Sequence, residues 1–480
     1  MNYSMVLKNL GRLLICEALA MFPSLIVALI YGGNDWRAFL YTIVLLLLIG
    51  MTSFLIKPKN RNIYARDGFA ITAIGWIMLS FFGALPFYFS GAIPSLIDGF
   101  FEASSGFTTT GSSILQAVEG LPQGILFWRS FTHWVGGMGV LVLAMAILPS
   151  AGAGAFQIMK AESPGPAPGK LVPKVKETAK ILYGIYIVFT VVEIILLKLA
   201  GMPLFDSMIH TFGSVGTGGF SNRNASIGAY NNVYIEIIIT VFTFLCGANF
   251  ALYYQVFKGN IKSLFKDEEF RIYSLIVAGS IALITINIYG TVFNSIGQSV
   301  RYSAFQVVTI ITTTGFSTAD FNTWPTFSKM ILFFLMFIGG CAGSTGGGIK
   351  NVRVLLLLKS AKRDLLRIIH PRAVYSVRYG EKSVDEKTLS EVSVFFFMFI
   401  ILFCIAVLIV SLEGKDMVTT LTAVATTIGN VGPGLGLVGP MGNFSSFTDL
   451  SKIVLSFCMI IGRIEIYPIL LLASRRFWRA

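Results

Sequence analysis

Four short stretches rich in threonine and glycine recur along this chain, and long apolar segments flank each of them. In chain order the stretches are Thr108–Ser112, Gly216–Ser221, Thr312–Ser317 and Thr426–Asn430. Their glycines, about 100 residues apart, are Gly111, Gly219, Gly315 and Gly429. A unit of about 100 residues can hold two membrane-spanning helices of about 20 residues each with their connections. The spacing therefore predicts four copies of one membrane-spanning unit.

The composition places the chain in a lipid bilayer. Of its 480 residues, 55% are hydrophobic and only 13% are charged, whereas soluble domains average about 25% charged residues. The net charge of +13 does not indicate a nucleic-acid partner, because the basic residues are confined to short segments between apolar runs, as in cytoplasmic loops. The apolar segments also lack the clustered carboxylates, histidines or cysteines of a membrane enzyme.

The apolar segments predict an all-α polytopic membrane protein without a sheet. Ten full spans are predicted at 11–31, 37–56, 69–90, 125–148, 181–200, 232–257, 272–292, 328–358, 391–412 and 450–473. Half-length segments are predicted at 94–107, 203–213, 300–311 and 416–425. Every basic loop, including 57–61, 149–180 and 359–390, then falls on the cytoplasmic side with both termini. The expected units are a helix pair at 1–60 and pore repeats at 61–165, 166–262, 263–375 and 376–480.

Each half-length segment leads into one of the threonine–glycine stretches, and this order predicts an ion filter. A half-length helix cannot cross about 30 Å of hydrocarbon, so the loop after it must face water or protein. The carboxyl end of the helix favours a cation, and an extended backbone can replace the hydration shell of the ion with carbonyl oxygens. One such stretch alone would be an ordinary turn. The predicted potassium-binding residues are Thr109, Thr110, Gly111, Thr217, Gly218, Gly219, Thr313, Thr314, Gly315, Thr427, Ile428 and Gly429.

A second unusual stretch interrupts the apolar run 328–358. Six of the ten residues 339–348 are glycine, and each glycine costs a helix about 1 kcal/mol relative to alanine. We expect a flexible loop beneath the filter that blocks the pore, although close helix packing through small residues is an alternative. The predicted gate residues in this loop are Gly343, Ser344, Thr345, Gly346, Gly347, Gly348 and Lys350. A phosphate-binding loop is excluded because Ile349 separates Gly348 from Lys350.

Arg463 lies inside the last apolar run, where a charge is costly and by default marks a functional site. Glu465 is only two positions away and faces another side of the helix, so the two residues do not pair within it. The alternative is a structural ion pair between Arg463 and a residue of another helix. A GxGxxG pattern at 434–439 follows no strand, so no organic cofactor is expected.

The stretches FEASSGFTTTGSS, GSVGTGGFSN, TIITTTGFSTADFNTWP and ATTIGNVGPG resemble the four pore loops of the Trk/Ktr/HKT potassium transporters. The additional N-terminal helix pair is similar to that of the TrkH/TrkG branch. The resemblance implies a pseudo-fourfold pore in one chain, homodimers in the bacterial inner membrane and a cytoplasmic TrkA-type ring that binds NAD or ATP. It also implies an intramembrane gating loop at 339–348, with Arg463 pointing into the pore nearby. In plant relatives a serine at the first filter position accompanies sodium transport, so Gly111 favours potassium.

The expected function is therefore a potassium-selective conducting subunit of a Trk-type uptake system. A Na⁺/K⁺ or H⁺-coupled symporter of the same fold remains the alternative. A secondary transporter with inverted repeats is disfavoured, because the four predicted units share one orientation. One departure from the family pattern is that Gly216 and Gly218 replace two threonines, which predicts a looser second quarter of the filter.

Overall fold

The structure is a computed structural model of the chain, and it describes residues 1–56, 58, 63–139 and 175–479. Most of the predicted basic loop 57–61, the last nine residues of the predicted span 125–148 and most of the linker 149–180 lie outside the described residues. Within the described part of the predicted span 125–148, the helix ends at Gly137. The rest confirms an all-α protein, with an N-terminal helix pair followed by four helix–half-helix–loop–helix units.

The N-terminal pair consists of α1 (Tyr3–Ile30) and α2 (Trp36–Leu55). The first unit contains α3 (Ala65–Gly83), α4 (Leu85–Phe89), α5 (Leu96–Phe107) and α6 (Gln123–Gly137). The second contains α7 (Val175–Leu199), α8 (Leu204–Gly216), the 3₁₀ turn Ser226–Tyr230, α9 (Val233–Cys246) and α10 (Phe250–Phe257).

A short helix, α11 (Lys262–Lys266), leads into the third unit. That unit contains α12 (Glu268–Ile288), α13 (Ile296–Ile311), the 3₁₀ turn Phe321–Thr323, α14 (Thr326–Ile338) and α15 (Asn351–Ile369). The fourth contains α16 (Glu386–Ser411), α17 (Met417–Ile428), the 3₁₀ turn Gly436–Val438, α18 (Asp449–Ile464) and α19 (Ile466–Ala473), followed by α20 (Arg475–Arg479).

Six of the described helices are long and apolar enough to cross a membrane alone: α1, α2, α3 continued by α4, α7, α12 and α16. The apolar window of the α3 span is 67% buried, whereas the other five windows are 22–39% buried. The five therefore turn a broad apolar face to lipid, and α3 lies inside. Its Gly83 carbonyl accepts a hydrogen bond from Trp128 Nε1 at 3.0 Å, which fixes α3 to α6 behind the first half-length helix.

The four predicted half-length helices are confirmed as α5, α8, α13 and α17, with 12, 13, 16 and 12 residues. At 1.5 Å per residue they span roughly 18–24 Å, less than the hydrocarbon thickness of a bilayer. Capping side chains fix two of their starts: Ser95 Oγ accepts from the amide of Asp98 at 3.3 Å, and Asp416 Oδ2 accepts from the amide of Thr419 at 2.9 Å. Each of these helices thus ends within the protein and leads into a loop.

Three predicted spans are interrupted. The break in 328–358 was expected, but the prediction of one helix over 232–257 is wrong, because α9 and α10 meet at a bend of 95°. Gly247 lies at this bend, where a β-carbon would come within 2.5 Å of the side chain of Thr312. The prediction of one helix over 450–473 is also wrong, because Glu465, at a left-handed φ of 64°, separates α18 from α19.

A small hairpin was not expected. Strands β1 (Arg378–Tyr379) and β2 (Lys382–Ser383) pair antiparallel across a turn at Gly380. The amide of Gly380 donates to Glu268 Oε2 at 3.0 Å. The hairpin thereby packs the basic segment after α15 against the start of α12.

Candidate functional site

The four threonine–glycine stretches share one backbone conformation. In each, a residue directly after a half-length helix has a left-handed φ between 55° and 60°, and these residues are Thr109, Thr217, Thr313 and Asn430. The amide of the following residue donates to a carbonyl five positions back; the four bonds are Thr110–Ser105, Gly218–Gly213, Thr314–Thr309 and Val431–Thr426, at 2.7–2.9 Å. This repeated bond turns the chain sharply at the end of each helix, so the four stretches are structurally equivalent.

The common backbone corrects the predicted register of the fourth stretch. Counting two residues beyond each left-handed residue gives Gly111, Gly219, Gly315 and Gly432. Gly429 instead has a φ of −82° and caps α17. Thr427 and Ile428 belong to the last turn of α17, and Gly432 with a φ of 102° is the equivalent of Gly111 and Gly315.

These four glycines meet in a closed ring. A β-carbon on Gly111 would come within 2.8 Å of the amide nitrogen of Gly219, and one on Gly219 would come within 2.5 Å of the carbonyl oxygen of Thr314. A β-carbon on Gly315 would overlap the carbonyl oxygen of Val431. The ring closes at Gly432, where a β-carbon would lie 2.7 Å from the carbonyl oxygen of Thr110.

Side-chain bonds also join the first and fourth quarters. Ser112 Oγ donates to the carbonyl of Gly432 at 3.0 Å, and Asn430 Nδ2 donates to Thr110 Oγ1 at 3.0 Å. These bonds connect residues 320 positions apart in the chain. The first and last units are therefore adjacent around the ring, as a fourfold arrangement of one chain requires.

Threonine pairs brace two of the quarters. Thr108 Oγ1 lies 2.8 Å from Thr110 Oγ1 in the first, and Thr312 Oγ1 lies 2.9 Å from Thr314 Oγ1 in the third. In the second quarter Gly216 and Gly218 take these positions, and in the fourth Gly429 and Val431 do. The braced and unbraced quarters alternate, so the ring has two-fold symmetry within its fourfold plan.

The ring of His133 fills the space that the missing threonines leave in the second quarter. A β-carbon on Gly218 would come within 2.6 Å of His133 Nδ1. Nδ1 itself lies 2.8 Å from the carbonyl oxygen of Gly106, and the amide of Phe220 donates to Nε2 at 3.2 Å. These partners fix the neutral tautomer with the proton on Nδ1. The second quarter is thus supported by an imidazole from α6, although the sequence predicted a looser segment.

The ring lies at the base of a mouth cavity that Gly111, Gly219, Gly315 and Gly432 help to line. Arg129 also lines this cavity, and its guanidinium is engaged by neighbouring groups. Its Nε donates to Glu102 at 2.6 Å, Nη1 donates to the carbonyl of Ser221 at 2.9 Å, and the guanidinium lies over the Phe220 ring. Glu102 neutralises this charge, which leaves uncharged oxygen atoms to face an ion at the ring.

A polar group braces the second unit beside the cavity. Tyr230, in the turn outside the membrane-spanning helices, donates to Asp206 Oδ2 at 2.6 Å, and Arg223 lies 3.3 Å from the same oxygen. Burial, reinforced by the Asp206 carboxylate, raises the pKa of Tyr230 well above its usual range. Tyr230 therefore remains a neutral hydrogen-bond donor at physiological pH.

On the side of the ring opposite the cavity lies the glycine loop, residues 339–350. It is anchored to the bend between α9 and α10: the amide of Cys341 donates to Gly247 O at 2.8 Å, and the amide of Phe250 donates to Gly343 O at 3.1 Å. At its other end, the amide of Lys350 donates to Ile338 O at 2.9 Å. The loop therefore leaves the end of α14 and returns close to the same point, so that it lies inside the protein.

The middle of the glycine loop contacts the ring directly. The amide of Gly347 donates to Thr313 Oγ1 at 2.7 Å. A β-carbon on Gly346 would lie 2.7 Å from the carbonyl of Thr312, and one on Gly347 would lie 2.7 Å from Asn430 Cβ. Only glycines allow the loop to approach the third and fourth quarters this closely.

Lys350 ends the loop as a fully buried cation. It is 1% exposed and has a left-handed φ of 80°, which is rare for a residue with a side chain. Its Nζ donates to the carbonyl of Gly346 and to Ser344 Oγ, the latter at 3.4 Å. The lysine therefore folds back on its own loop and holds it compact.

Arg463 joins three of the four units beneath the ring. Its Nη1 donates to the carbonyl of Thr345 at 2.5 Å. Its Nη2 donates to the carbonyls of Gly136 and Gly137 at 2.6 and 2.5 Å. Thr345 belongs to the glycine loop and the two glycines end α6, so one guanidinium from α18 links the first, third and fourth units.

The structure therefore brings most of the predicted residues together and leaves several of them aside. The first three sets of filter residues lie in the ring, and Gly346, Gly347, Thr345 and Arg463 lie beside or beneath it. Gly343 and Ser344 lie farther along the loop, where Gly343 faces Asn249 and Ser344 Oγ donates to Cys341 O at 2.6 Å. Thr427, Ile428 and Gly429 are not in the ring itself.

Several residues of the site were not singled out from the sequence. Asn430 and Gly432 were missed because Thr426–Gly429 imitates the Thr-Thr-Thr-Gly of the first and third stretches, although Gly432–Pro433 was an available turn signal. Glu102, Arg129 and His133 were missed because polar residues within apolar helices carry no fixed spacing that assigns their partners. Among the described residues no cluster of three metal-ligating His, Cys, Asp or Glu side chains occurs, so the ring oxygens are the candidate ligands for an ion.

Comparisons with known proteins agree with this geometry. The profile of the family described as "TrkH: Cation transport protein" matches residues 36–479. The chain is 39% identical to the Trk system potassium uptake protein TrkH of Salmonella typhimurium, with both chains covered completely. It is 35% identical to the Trk system potassium uptake protein TrkG of Escherichia coli K12, over 98% of this chain and 97% of the relative.

A solved structure is similar over the same length. The crystal structure of the potassium transporter TrkH from Vibrio parahaemolyticus superposes with a TM-score of 0.89 at 35% identity, and both chains are covered completely. The relatives are transport proteins and not enzymes, in keeping with the sequence-based expectation. The family match and the full-length relatives together establish that this chain belongs to the TrkH family of cation transport proteins.

Proposed function

We propose that this chain is the potassium-conducting subunit of a Trk-type uptake system and that K⁺ passes inward through the ring of the four filter segments. The observation that carries the proposal is the closed contact of Gly111, Gly219, Gly315 and Gly432 at the ends of four half-length helices. The names of the relatives, potassium uptake proteins of the Trk system, support the choice of ion.

The chemistry of the ring favours potassium over a divalent ion. The backbone oxygens of Thr110, Thr314 and Val431 approach the neighbouring glycines, and no acidic side chain occurs in the four filter segments. Neutral carbonyl oxygens can replace the hydration shell of a monovalent cation, whereas calcium sites depend on carboxylates. The carboxyl ends of four helices add partial negative charge at the same point.

The glycine loop and Arg463 act as the gate in this proposal. A guanidinium is always charged, and in this arrangement it lies beneath the ring in contact with Thr345. A cation that leaves the ring would meet both the loop and this positive charge. Conduction therefore requires the loop to move aside and Arg463 to move with it. In this proposal the present arrangement is a closed state.

The proposal includes the assembly of the subunit, which the family resemblance implies. The subunit spans the inner membrane with both termini in the cytoplasm, pairs as a homodimer and is regulated by a cytoplasmic TrkA-type ring that binds NAD or ATP. The second half of α15, with Lys359, Arg363 and Arg367, offers a surface for that ring. The pore repeats occupy 61–165, 166–262, 263–375 and 376–480 after the helix pair 1–60.

The test is growth of cells that lack potassium uptake systems, on medium low in potassium. Cells that express this chain with its cytoplasmic partner should grow, whereas cells with Gly315→Ser should not, because any β-carbon at Gly315 collides with Val431. Gly279→Ala is the control, since nothing lies within 4 Å of that site. Failure of the unmodified, membrane-inserted chain to support growth would contradict the proposal.

A further inference from the structure

A buried carboxyl group without a role in the proposed conduction path lies behind the second quarter of the ring. Glu193 on α7 is 0% exposed within a membrane-spanning helix. Its Oε1 forms a short hydrogen bond with Ser214 Oγ of α8. Its Oε2 is buried and has no hydrogen-bond partner among the described residues. An ionised carboxylate with one bare oxygen is strongly disfavoured in this environment.

The hydrogen-bond inventory of Ser214 points to a protonated carboxyl. A serine hydroxyl has one proton to donate, but Ser214 Oγ lies against Glu193 Oε1 and also 2.9 Å from the carbonyl oxygen of His210. The His210 oxygen can only accept. If Ser214 donates to it, the contact with Glu193 requires a proton on the carboxyl, which then donates to Ser214 Oγ.

Ser214 connects this carboxyl to the ring. The carbonyl oxygen of Ser214 accepts a hydrogen bond from the amide of Thr217 at 3.2 Å. Thr217 is the left-handed residue of the second quarter, which lacks the threonine brace of the first and third. Two consecutive hydrogen bonds thus lead from Glu193 to the filter backbone.

The three helices that pack against α7 offer Glu193 no compensating charge. α7 packs against α8, α9 and α10, and these three helices contain no lysine or arginine. Their titratable groups are engaged or distant: His210 bonds to Asp206 O and Ser221 Oγ, and Glu236 near the start of α9 pairs with Arg301. Cys246 of α9 and Tyr253 of α10 are neutral thiol and phenol groups, as is Tyr186 of α7, whose hydroxyl bonds to Trp134 O.

Groups from α6 do not supply a charge either. His133 is the neutral tautomer described above, and Arg463 of α18, which contacts the end of α6, is bound to three backbone carbonyls. No ion pair joins Glu193 to a basic side chain within the described part of the chain. Burial without a compensating positive charge therefore favours the protonated form of the Glu193 carboxyl.

We propose that Glu193 is a proton-binding site whose proton, shared with Ser214, holds the second quarter of the filter in its conducting form. Loss of the proton places a negative charge at the carboxyl end of α8, where the helix dipole is also negative, and draws the Ser214 hydroxyl away from the His210 carbonyl. The second quarter then loses its support and its selectivity. This inference rests on the proposed function only where it is tested by transport. The protonation of Glu193 can be tested without it.

A sodium ion at the same place is the competing occupant. Small hard cations prefer about six oxygen ligands, whereas Glu193 and Ser214 supply three side-chain oxygens at this point. A shared proton needs only two oxygen atoms, and Glu193 Oε1 and Ser214 Oγ are already in contact. The experiment distinguishes the two, because a bound sodium ion requires an ionised carboxylate.

The direct test is infrared difference spectroscopy of the purified full-length protein in lipid, comparing the unmodified chain with Glu193→Gln in sodium-free and sodium-containing buffer. We expect a protonated carboxylic-acid carbonyl band at neutral pH that the glutamine variant lacks, with no change on adding sodium. Absence of this band, or its replacement by a carboxylate band, would overturn the proposal. This readout does not depend on transport, so it can succeed or fail independently of the proposed function.

The functional test is the ratio of rubidium to sodium uptake in proteoliposomes from neutral to strongly alkaline pH. In the unmodified chain the ratio should fall at alkaline pH, whereas Glu193→Gln, which mimics the protonated group, should keep its neutral ratio throughout. Ser214→Ala should lower the ratio already at neutral pH, and Ser207→Ala on the same helix, whose hydroxyl bonds to the Met202 and Pro203 carbonyls just before the helix, should not. Identical pH profiles for the unmodified chain and a folded glutamine variant would overturn the proposal.

Discussion

Arg463 of the last unit donates to the carbonyl of Thr345 in the glycine loop at 2.5 Å. The contact links two parts of the chain that the sequence suggested separately, a charge inside an apolar helix and a glycine-rich break in another. Because Thr345 is followed directly by the glycines that touch the ring, movement of Arg463 must alter the loop beneath the filter. In the proposed function the two act together as one latch.

Replacing Arg463 tests the latch. Two unit charges about 4 Å apart at an effective dielectric constant near 20 interact by roughly 4 kcal/mol, so the guanidinium opposes a passing cation strongly. Arg463→Ala should raise rubidium flux into proteoliposomes and reduce its dependence on the cytoplasmic partner. Arg463→Lys should retain part of the block, since lysine lacks the planar fork that reaches three carbonyls.

The control is Arg301→Ala, which removes a different arginine that pairs with Glu236 at 3.1 Å. Its flux should match that of the unmodified chain. A folded Arg463→Ala variant with equal or lower flux would identify Arg463 as a structural link between units and not as a barrier.

The glycines of the loop are predicted to control opening. Alanines at Gly346, Gly347 and Gly348 would add β-carbons against Thr312, Asn430 and Gly339, so the loop can no longer rest against the ring. Single-channel recordings should show altered open probability with little change in ion selectivity. A shift in selectivity with unaltered gating would mean that the loop belongs to the filter.

The corrected register gives a paired prediction in the fourth quarter. Gly432→Ser should reduce potassium selectivity or abolish uptake, because its φ of 102° and its contact with Thr110 O exclude a side chain. Gly429→Ser, at an ordinary φ of −82°, should act on stability through its contact with Met336 O and leave the ion ratio of the surviving protein unaltered. Bi-ionic flux ratios for the two variants decide the register, and the opposite result would restore Gly429 as the fourth filter residue.

The buried pair of Glu102 and Arg129 should stabilise the mouth of the ring. Their side chains are 0% and 4% exposed and lie 2.6 Å apart, and removing one partner of such a pair typically costs about 3–5 kcal/mol. Glu102→Gln should therefore lower the thermal unfolding temperature in detergent clearly more than Glu236→Gln, whose partner Arg301 is 23% exposed. Equal shifts for both variants would show that the Glu102 pair is not specially important for stability.

The sequence predicted the half-length helices well because length alone decides whether a helix can cross a bilayer. The predicted segment 94–107 and the observed α5 end at the same residue, Phe107. The breaks at Gly247 and Glu465 were missed for a different reason. Each depends on a distant partner, since Gly247 must accommodate Thr312 and Glu465 pairs with Arg353 at 2.5 Å, and neither partner is visible in local composition.

The register of the fourth filter segment also depends on contacts with residues that are distant in the sequence. Gly429 and Gly432 are three residues apart, and both follow threonines at the end of an apolar helix. The Gly432–Pro433 turn signal competes with the Thr-Thr-Ile-Gly match at Thr426–Gly429, so the local sequence does not decide between the two glycines. The left-handed Asn430 and closure of the ring against Thr110 select Gly432, and closure is a property of all four units together.

Whether the ring of Gly111, Gly219, Gly315 and Gly432 selects potassium is tested most directly by the ratio of potassium to sodium flux through the purified chain in proteoliposomes. We expect potassium and rubidium to enter much faster than sodium in the unmodified protein and this preference to be lost in folded Gly432→Ser. Equal entry of sodium and potassium through the unmodified protein, or an unchanged preference in Gly432→Ser, would contradict this expectation.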